Sequence, residues 1–203
     1  MAEARSSAAG LILAGGLATR LGGAAKGATL LKGRPLIAYV LENLSKDLDA
    51  VAVSTRPVHQ GAYKGVNLPL LFDEPNFEGR GPLVGLLAGL EWAQRRRATA
   101  LITAPCDAPF LPPDMAEKLL GALEPGVDAA FAATDVRDHP LCAAWRPSLA
   151  AILRPLVSDP AARRSVKRFL DQITAVKARF PDEAKFLNIN TFEDLELAAR
   201  QLP

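Results

Sequence analysis

Two stretches of this sequence carry residue types in spacings that could do chemistry. The first, Leu13-Ala14-Gly15-Gly16-Leu17-Ala18-Thr19-Arg20-Leu21-Gly22-Gly23-Ala24-Ala25-Lys26, puts glycines, an arginine and a lysine on one loop. Glycines let backbone N–H groups approach phosphate oxygens, and the cations offset the charge of a triphosphate. The spacing matches neither a Walker A loop nor a GxGxxG fingerprint. Taken alone, the stretch reads equally well as a flexible strand-to-helix connection with solvated cations. The second stretch, Pro105-Cys106-Asp107-Ala108-Pro109-Phe110, sets a carboxylate among prolines. Asp107 is either a turn residue or a hard oxygen ligand for magnesium, which takes one or two carboxylates and keeps waters and substrate phosphates in its other positions.

The elements that must position these loops can be read from hydrophobic patterning. Small apolar residues over 8–13 predict a buried strand running into the glycine loop, and the apolar run over 98–104 predicts a buried central strand ending at Pro105. Further strands are expected over 49–54, 68–72, 128–133 and 141–145, with an extended segment over 174–180. Helices are expected over 36–44, 81–96, 113–123, 148–156 and 165–173. A terminal helix opens at Thr191, with Asp194 at the capping-box position. Strands alternating with helices predict an α/β fold, a mostly parallel sheet covered on both faces in three layers. In such a sheet ligands bind beyond the carboxyl ends of the strands, near the point where strand order reverses. Both chemical loops leave a strand at that end, so their convergence on one edge favours a ligand site over two unrelated turns.

Composition narrows the function classes. A chain of 203 residues, 49% hydrophobic and 23% charged with a net charge of +2, predicts one domain over 1–203, with no nucleic-acid footprint. Arg95, Arg96 and Arg97 are read as complementing a helix C-terminus. Cys106 and Cys142 have neither disulfide-framework nor zinc spacing, which predicts reduced thiols. The apolar stretch near the N-terminus is too short for a secretory segment or a membrane span, so a cytoplasmic protein without membrane attachment is expected. His139 is expected to be a hydrogen-bonded structural residue, His59 a solvated one, Trp92 and Trp145 core aromatics, and Cys106 a packing residue.

Five motifs stand in one order: the LAGG…TRLGG…K stretch, Gly81-Pro82-Leu83-Val84-Gly85, PCDAPFL, His139-Pro140-Leu141, and Asn188-Ile189-Asn190-Thr191. In that order and with these separations the chain resembles the molybdenum cofactor guanylyltransferases, from about residue 10 to the C-terminus. The resemblance implies a Rossmann-like nucleotidyltransferase fold, glycosyltransferase-A-like, and transfer of GMP from GTP to molybdopterin or the molybdenum cofactor. Its alternatives are a cytidylyltransferase or sugar-phosphate nucleotidyltransferase of the same superfamily, or a nucleotide-binding regulatory protein without turnover. It implies nucleotide contacts at Leu13, Ala14, Gly15, Gly16, Lys26, Ser54, Asp73, Gly81, Pro82, Leu83 and Asp107. Asp107 is the implied Mg²⁺ ligand, and Lys26, Arg20 and Asp107 are the implied catalytic groups. Arg163, Arg164, Asn188 and Asn190 fall where the family holds its pterin. Transient contact with cofactor-donating or molybdoenzyme-maturation proteins follows from the cofactor's transfer. Three positions depart from the family pattern: Ala25 replaces an Asp before the lysine, Ser54 a nucleoside-contacting Asn, and Phe192 the Pro of the last helix's first turn.

Overall fold

Alanine, valine, leucine and isoleucine crowd the strands at the centre of the molecule, where both faces of the sheet are covered. The computed structural model describes residues 7–16, 25–46, 48–77, 81–159 and 165–202. Within these, β1 (Ala8–Leu13), β4 (Ala50–Thr55), β5 (Leu70–Phe72), β6 (Ala100–Pro105), β7 (Ala129–Ala133), β8 (Asp138–Trp145) and β9 (Ala175–Arg179) form a seven-stranded sheet in the order β5-β4-β1-β6-β8-β7-β9. All pairings are parallel except those of β8, which runs antiparallel to both β6 and β7. The α/β reading of a mostly parallel sheet therefore holds.

Strand faces alternate, and the two faces bury different helices. One face packs α1 (Leu36–Leu44) and α3 (Met115–Ala122) over Ile12, Val53, Ile102, Ala130 and Ala144. The other packs α2 (Pro82–Arg95), α4 (Ala150–Ser158) and the short α5 (Val166–Leu170) over Leu11, Ala52, Leu101, Phe131 and Trp145. Gly89 lets α2 approach the sheet, since a Cβ there would collide with Leu11 and lie 3.1 Å from Leu101 Cδ2. Gly81 starts α2 at φ 85, ψ −174, a conformation reserved for glycine, and Pro82 follows at the first helical position. At its other end Arg96 N–H bonds Trp92 C=O and its guanidinium lies 5.3 Å from the Trp92 ring centre, so these arginines do close the helix.

A smaller apolar cluster docks the C-terminus. Helix α6 (Phe192–Gln201) packs Ala198 against Leu31 and Leu36, with Ile189 between them. Leu31 lies on a two-residue hairpin, β2 (Leu30–Leu31) and β3 (Arg34–Pro35), that sequence patterning did not predict. The capping box is present, Thr191 Oγ1 accepting from Asp194 N–H and the Asp194 carboxylate accepting from Thr191 N–H.

Two further readings are corrected. Strand β8 begins at Asp138 rather than at residue 141. Pro140 lies inside it, where the β7 pairing slips between Phe131 and Ala132, as a residue without an N–H requires. The segment Pro57–Tyr63 forms a 3-10 helix. It folds His59 into the protein at 7% exposure, so His59 is not solvated; burial, then the Arg56 charge, depresses its pKa. Trp92 and Trp145 are core residues as expected, and Trp145 Nε1 donates to Thr103 Oγ1 at 2.9 Å. Among the described residues no helix is long and apolar enough to cross a membrane.

Candidate nucleotide site

Strand order reverses between β1 and β6. From β1 the chain proceeds outward through β4 to β5, while β6 opens the other half of the sheet. Their carboxyl ends meet there: Cys106 N–H bonds Leu13 C=O at 3.1 Å, and Ala14 N–H bonds Ser54 C=O at 2.8 Å. The two segments picked out for chemistry therefore leave the sheet side by side at its switch point.

Lys26 begins a one-turn 3-10 helix, Lys26–Ala28, and the packing beneath explains its position. A Cβ on Gly27 would lie 3.0 Å from Tyr63 Oη, 3.1 Å from Cys106 Cβ and 3.3 Å from Ile37 Cβ. Only glycine fits without displacement, so the turn sits directly on the start of the Cys106-Asp107 segment. Ala25 precedes it with no side-chain cap.

From that turn the Lys26 ammonium forms an ion pair and hydrogen bond with Asp107 Oδ2. It also donates to Asn190 Oδ1 at 2.5 Å. Both charged side chains are largely withdrawn from water, at 13% and 10% exposure. Asp107 C=O accepts from Ile189 N–H at 2.8 Å, tying the last segment to the same point. Residues 26, 107 and 190, widely separated in sequence, thus meet in one charged cluster. Gly15 and Gly16 follow β1, and a Cβ on either meets nothing within 4 Å among the described residues.

The remaining expected residues divide. Leu13 is half-buried and Ala14 fully buried at the end of β1, and Asp73 follows the end of β5 on the same edge. Gly81 and Pro82 are exposed, whereas Leu83 is fully buried in the helix core. The Ser54 side chain is 2% exposed and turned beneath α2, where a Cβ on Gly85 would collide with its hydroxyl. Asn188 is half-buried, and its carbonyl accepts from Asn190 Nδ2 at 3.3 Å. Arg20, Arg163 and Arg164 lie outside the described residues.

Chemistry at the site is that of charge and placement. Burial, then the neighbouring Asp107 charge, pushes the Cys106 thiol upward, so it stays protonated and packs rather than attacks. Among the described residues no group of three or more His, Cys, Asp or Glu could hold a metal by itself. A single carboxylate such as Asp107 can still serve a divalent cation of the magnesium type, which takes one or two carboxylates and fills its other positions with water or substrate oxygens. Sequence reasoning missed two contacts. Asp194 reaches beyond its cap to Asn190 N–H at 2.8 Å. Glu183 gathers Thr134 Oγ1 at 2.5 Å, Arg137 Nε at 2.6 Å and His139 Nε2 at 3.0 Å, while His139 stacks on Phe186. Burial alone would raise the Glu183 pKa, but these donors outweigh it and hold the carboxyl low. His139 is accordingly a hydrogen-bonded structural residue, anchoring the segment that continues to Asn190.

Comparison with known proteins agrees with this geometry. The chain is 42% identical over 189 residues to a molybdenum cofactor guanylyltransferase of Cereibacter sphaeroides, covering 93% of this chain and 94% of that protein. It is 37% identical to one from Burkholderia lata, covering 98% and 99%. The solved structure of molybdopterin-guanine dinucleotide biosynthesis protein A from Archaeoglobus fulgidus superposes with a TM-score of 0.75 at 26% identity, over 95% of this chain and 97% of that one. A CMP:2-keto-3-deoxy-manno-octonic acid synthetase complexed with CTP shares the fold at a TM-score of 0.75 and 16% identity, over 97% of this chain and 98% of that one. The model of the MobA-like NTP transferase domain matches residues 10–176, most of the chain, and with these relatives it establishes that the chain belongs to the MobA-like NTP transferase family.

Proposed function

We propose that this protein is a molybdenum cofactor guanylyltransferase, moving GMP from GTP to the terminal phosphate of molybdopterin or its molybdenum-loaded form. The observation that carries the reading is the meeting of Lys26, Asp107 and Asn190 at the edge where β1 and β6 end. Such a cluster suits phosphates and a cation, and the buried Cys106 thiol beside it stays protonated.

In the reaction, a phosphate oxygen of the acceptor forms a bond to the α-phosphorus of GTP as the bond to the β-phosphate oxygen breaks and pyrophosphate leaves. A phosphate monoester has its second pKa near ~6, so the attacking group is already ionised at neutral pH and needs placing rather than deprotonating. The Gly15 and Gly16 amides approach the phosphates, and the Lys26 ammonium neutralises charge building on the α-phosphate and leaving group. Asp107 would hold Mg²⁺, which when bound would supply further positive charge at the phosphates. On release from Asp107, Lys26 remains within reach of the same phosphates because Gly27 fixes the turn beneath it. Asn188 and Asn190 are the proposed pterin contacts among the described residues, and the family resemblance adds Arg163 and Arg164 to that role. The two free, buried cysteines fit a cytoplasmic enzyme that receives its acceptor by transient contact with donor or maturation proteins.

The test is pyrophosphate release with each of the four NTPs and molybdopterin, with and without Mg²⁺. Release with GTP only in the presence of the acceptor and metal is expected. Equal or better use of CTP would reassign the base. Product from a simple hexose phosphate would reassign the acceptor, and GTP binding without release would overturn the enzymatic reading.

A further inference from the structure

The capping box of α6 holds more than the helix. Its carboxylate oxygen, Asp194 Oδ2, accepts from Thr191 N–H at 2.9 Å, as a capping box requires, and also from Asn190 N–H at 2.8 Å. Asn190 lies outside the helix, and its side chain accepts from the Lys26 ammonium. On its other side the same segment is fixed through Ile189 N–H to Asp107 C=O, and by Asn190 Nδ2 to Asn188 C=O. An unbroken chain of contacts therefore runs from Asp194 through the Asn190 peptide and side chain to Lys26 and then to Asp107. The Asn190 N–H, aided by Thr191 and the Lys26 charge, holds the Asp194 carboxyl below the usual carboxylate range.

From this geometry we infer that Asp194 is a positioning residue for the reaction, fixing the Asn190 peptide so that its side-chain oxygen holds the Lys26 ammonium at the phosphate site. A residue read from sequence as a helix cap thus acts on a lysine that the helix itself never touches. The catalytic consequence rests on the guanylyl-transfer reading; the positioning itself does not.

Two measurements on four variants test it. Asp194→Ala removes both hydrogen bonds. Asp194→Asn keeps an oxygen able to accept them and removes only the charge. Thr191→Ala removes the other half of the cap and leaves the bond to Asn190 intact, and Asn190→Ala breaks the chain at its middle. The first measurement is the acylation rate of Lys26 by an amine-reactive anhydride, read by peptide mass spectrometry on the substrate-free protein. It should rise several-fold in Asp194→Ala and Asn190→Ala, and stay near wild type in Asp194→Asn and Thr191→Ala, although Thr191→Ala lowers the melting temperature as Asp194→Ala does. The second is kcat at saturating GTP and acceptor. A misplaced ammonium should cost roughly tenfold to a hundredfold in Asp194→Ala, with most of it recovered in Asp194→Asn. Adding Asp194→Ala to Asn190→Ala should bring little further loss, since the two act in series. Equal Lys26 acylation in Asp194→Ala and Thr191→Ala would overturn the proposal. Raised Lys26 acylation in Asp194→Ala and Asn190→Ala, beside a wild-type protein that transfers no GMP, would sustain the positioning and refute the guanylyl-transfer reading instead.

Discussion

Replacing Gly15 by alanine separates ligand binding from folding. Among the described residues a Cβ at Gly15 meets nothing within 4 Å, and its φ lies outside the left-handed region, so the fold accepts the methyl group without strain. Alanine also restricts the unfolded chain, which raises stability by about 0.4–1 kcal/mol at a compatible site. At about 2–4 °C per kcal/mol for a chain of this size, the melting temperature should rise by about 1–4 °C. The methyl group enters the space the phosphates need, however. An amide hydrogen bond to an ionised oxygen contributes about 1.5–3 kcal/mol. Its loss corresponds to GTP binding weakened about 10- to 100-fold. Gly81→Ala is the counterpart: φ 85 and ψ −174 exclude a side chain. It should therefore lose about 1–3 kcal/mol of stability. Thermal unfolding and GTP titration on both variants give the four numbers. A Gly15→Ala protein that binds GTP like wild type would refute the phosphate cradle, and one that melts lower would refute the reading of open space.

Three other perturbations have defined outcomes. Gly89→Ala drives a methyl group into Leu11 and Leu101. Overpacking at about 1–3 kcal/mol against a helix-propensity gain of about 0.8–1 kcal/mol should lower the urea midpoint, with GTP affinity spared. Lys26→Met keeps the length of the side chain and removes its charge from Asp107 and from the phosphates; kcat should fall by about 10²–10³, and a loss under about tenfold would argue against its role. Stability should decline in acid in two stages. His59 titrates below its ordinary 6.5 in the folded protein, so below that pH the unfolded chain binds the proton more readily and stability falls. Glu183 and Asp194 titrate below 4.5 and 3.8, so their stabilisation is complete above those values and is lost as pH drops through the lower folded-state values. Urea midpoints measured across this range check the sign, and His59→Asn should remove the first stage alone.

What could be read from the sequence was whatever local chemistry dictates. The runs over 8–13 and 98–104 are apolar because central parallel strands are buried on both faces, and a loop rich in glycine or a carboxylate directly after such a strand must emerge at the sheet's ligand-binding edge. That logic places Lys26 and Asp107 at one edge of the sheet, and the ion pair joins them there. The hairpin formed by β2 and β3 escaped because two-residue strands show no period. The antiparallel course of β8 escaped because alternation carries no direction, and Pro140 masked its first turn of chain as a loop. His59 looks solvated in the sequence Arg56-Pro57-Val58-His59, and only the packing of the 3-10 helix against the core buries it. Glu183 and Asp194 mark the deeper limit. A carboxylate's role is set by the donors that fold around it, and those of Glu183 come from positions 134, 137 and 139, more than forty residues earlier. Asp194 takes its donors from residues beside it, yet its importance lies in what Asn190 touches in turn, the ammonium of Lys26, 164 residues earlier in the chain. The groups that do the chemistry announce themselves by type and spacing, whereas the groups that aim them are ordinary caps and ion pairs until the tertiary contacts are drawn.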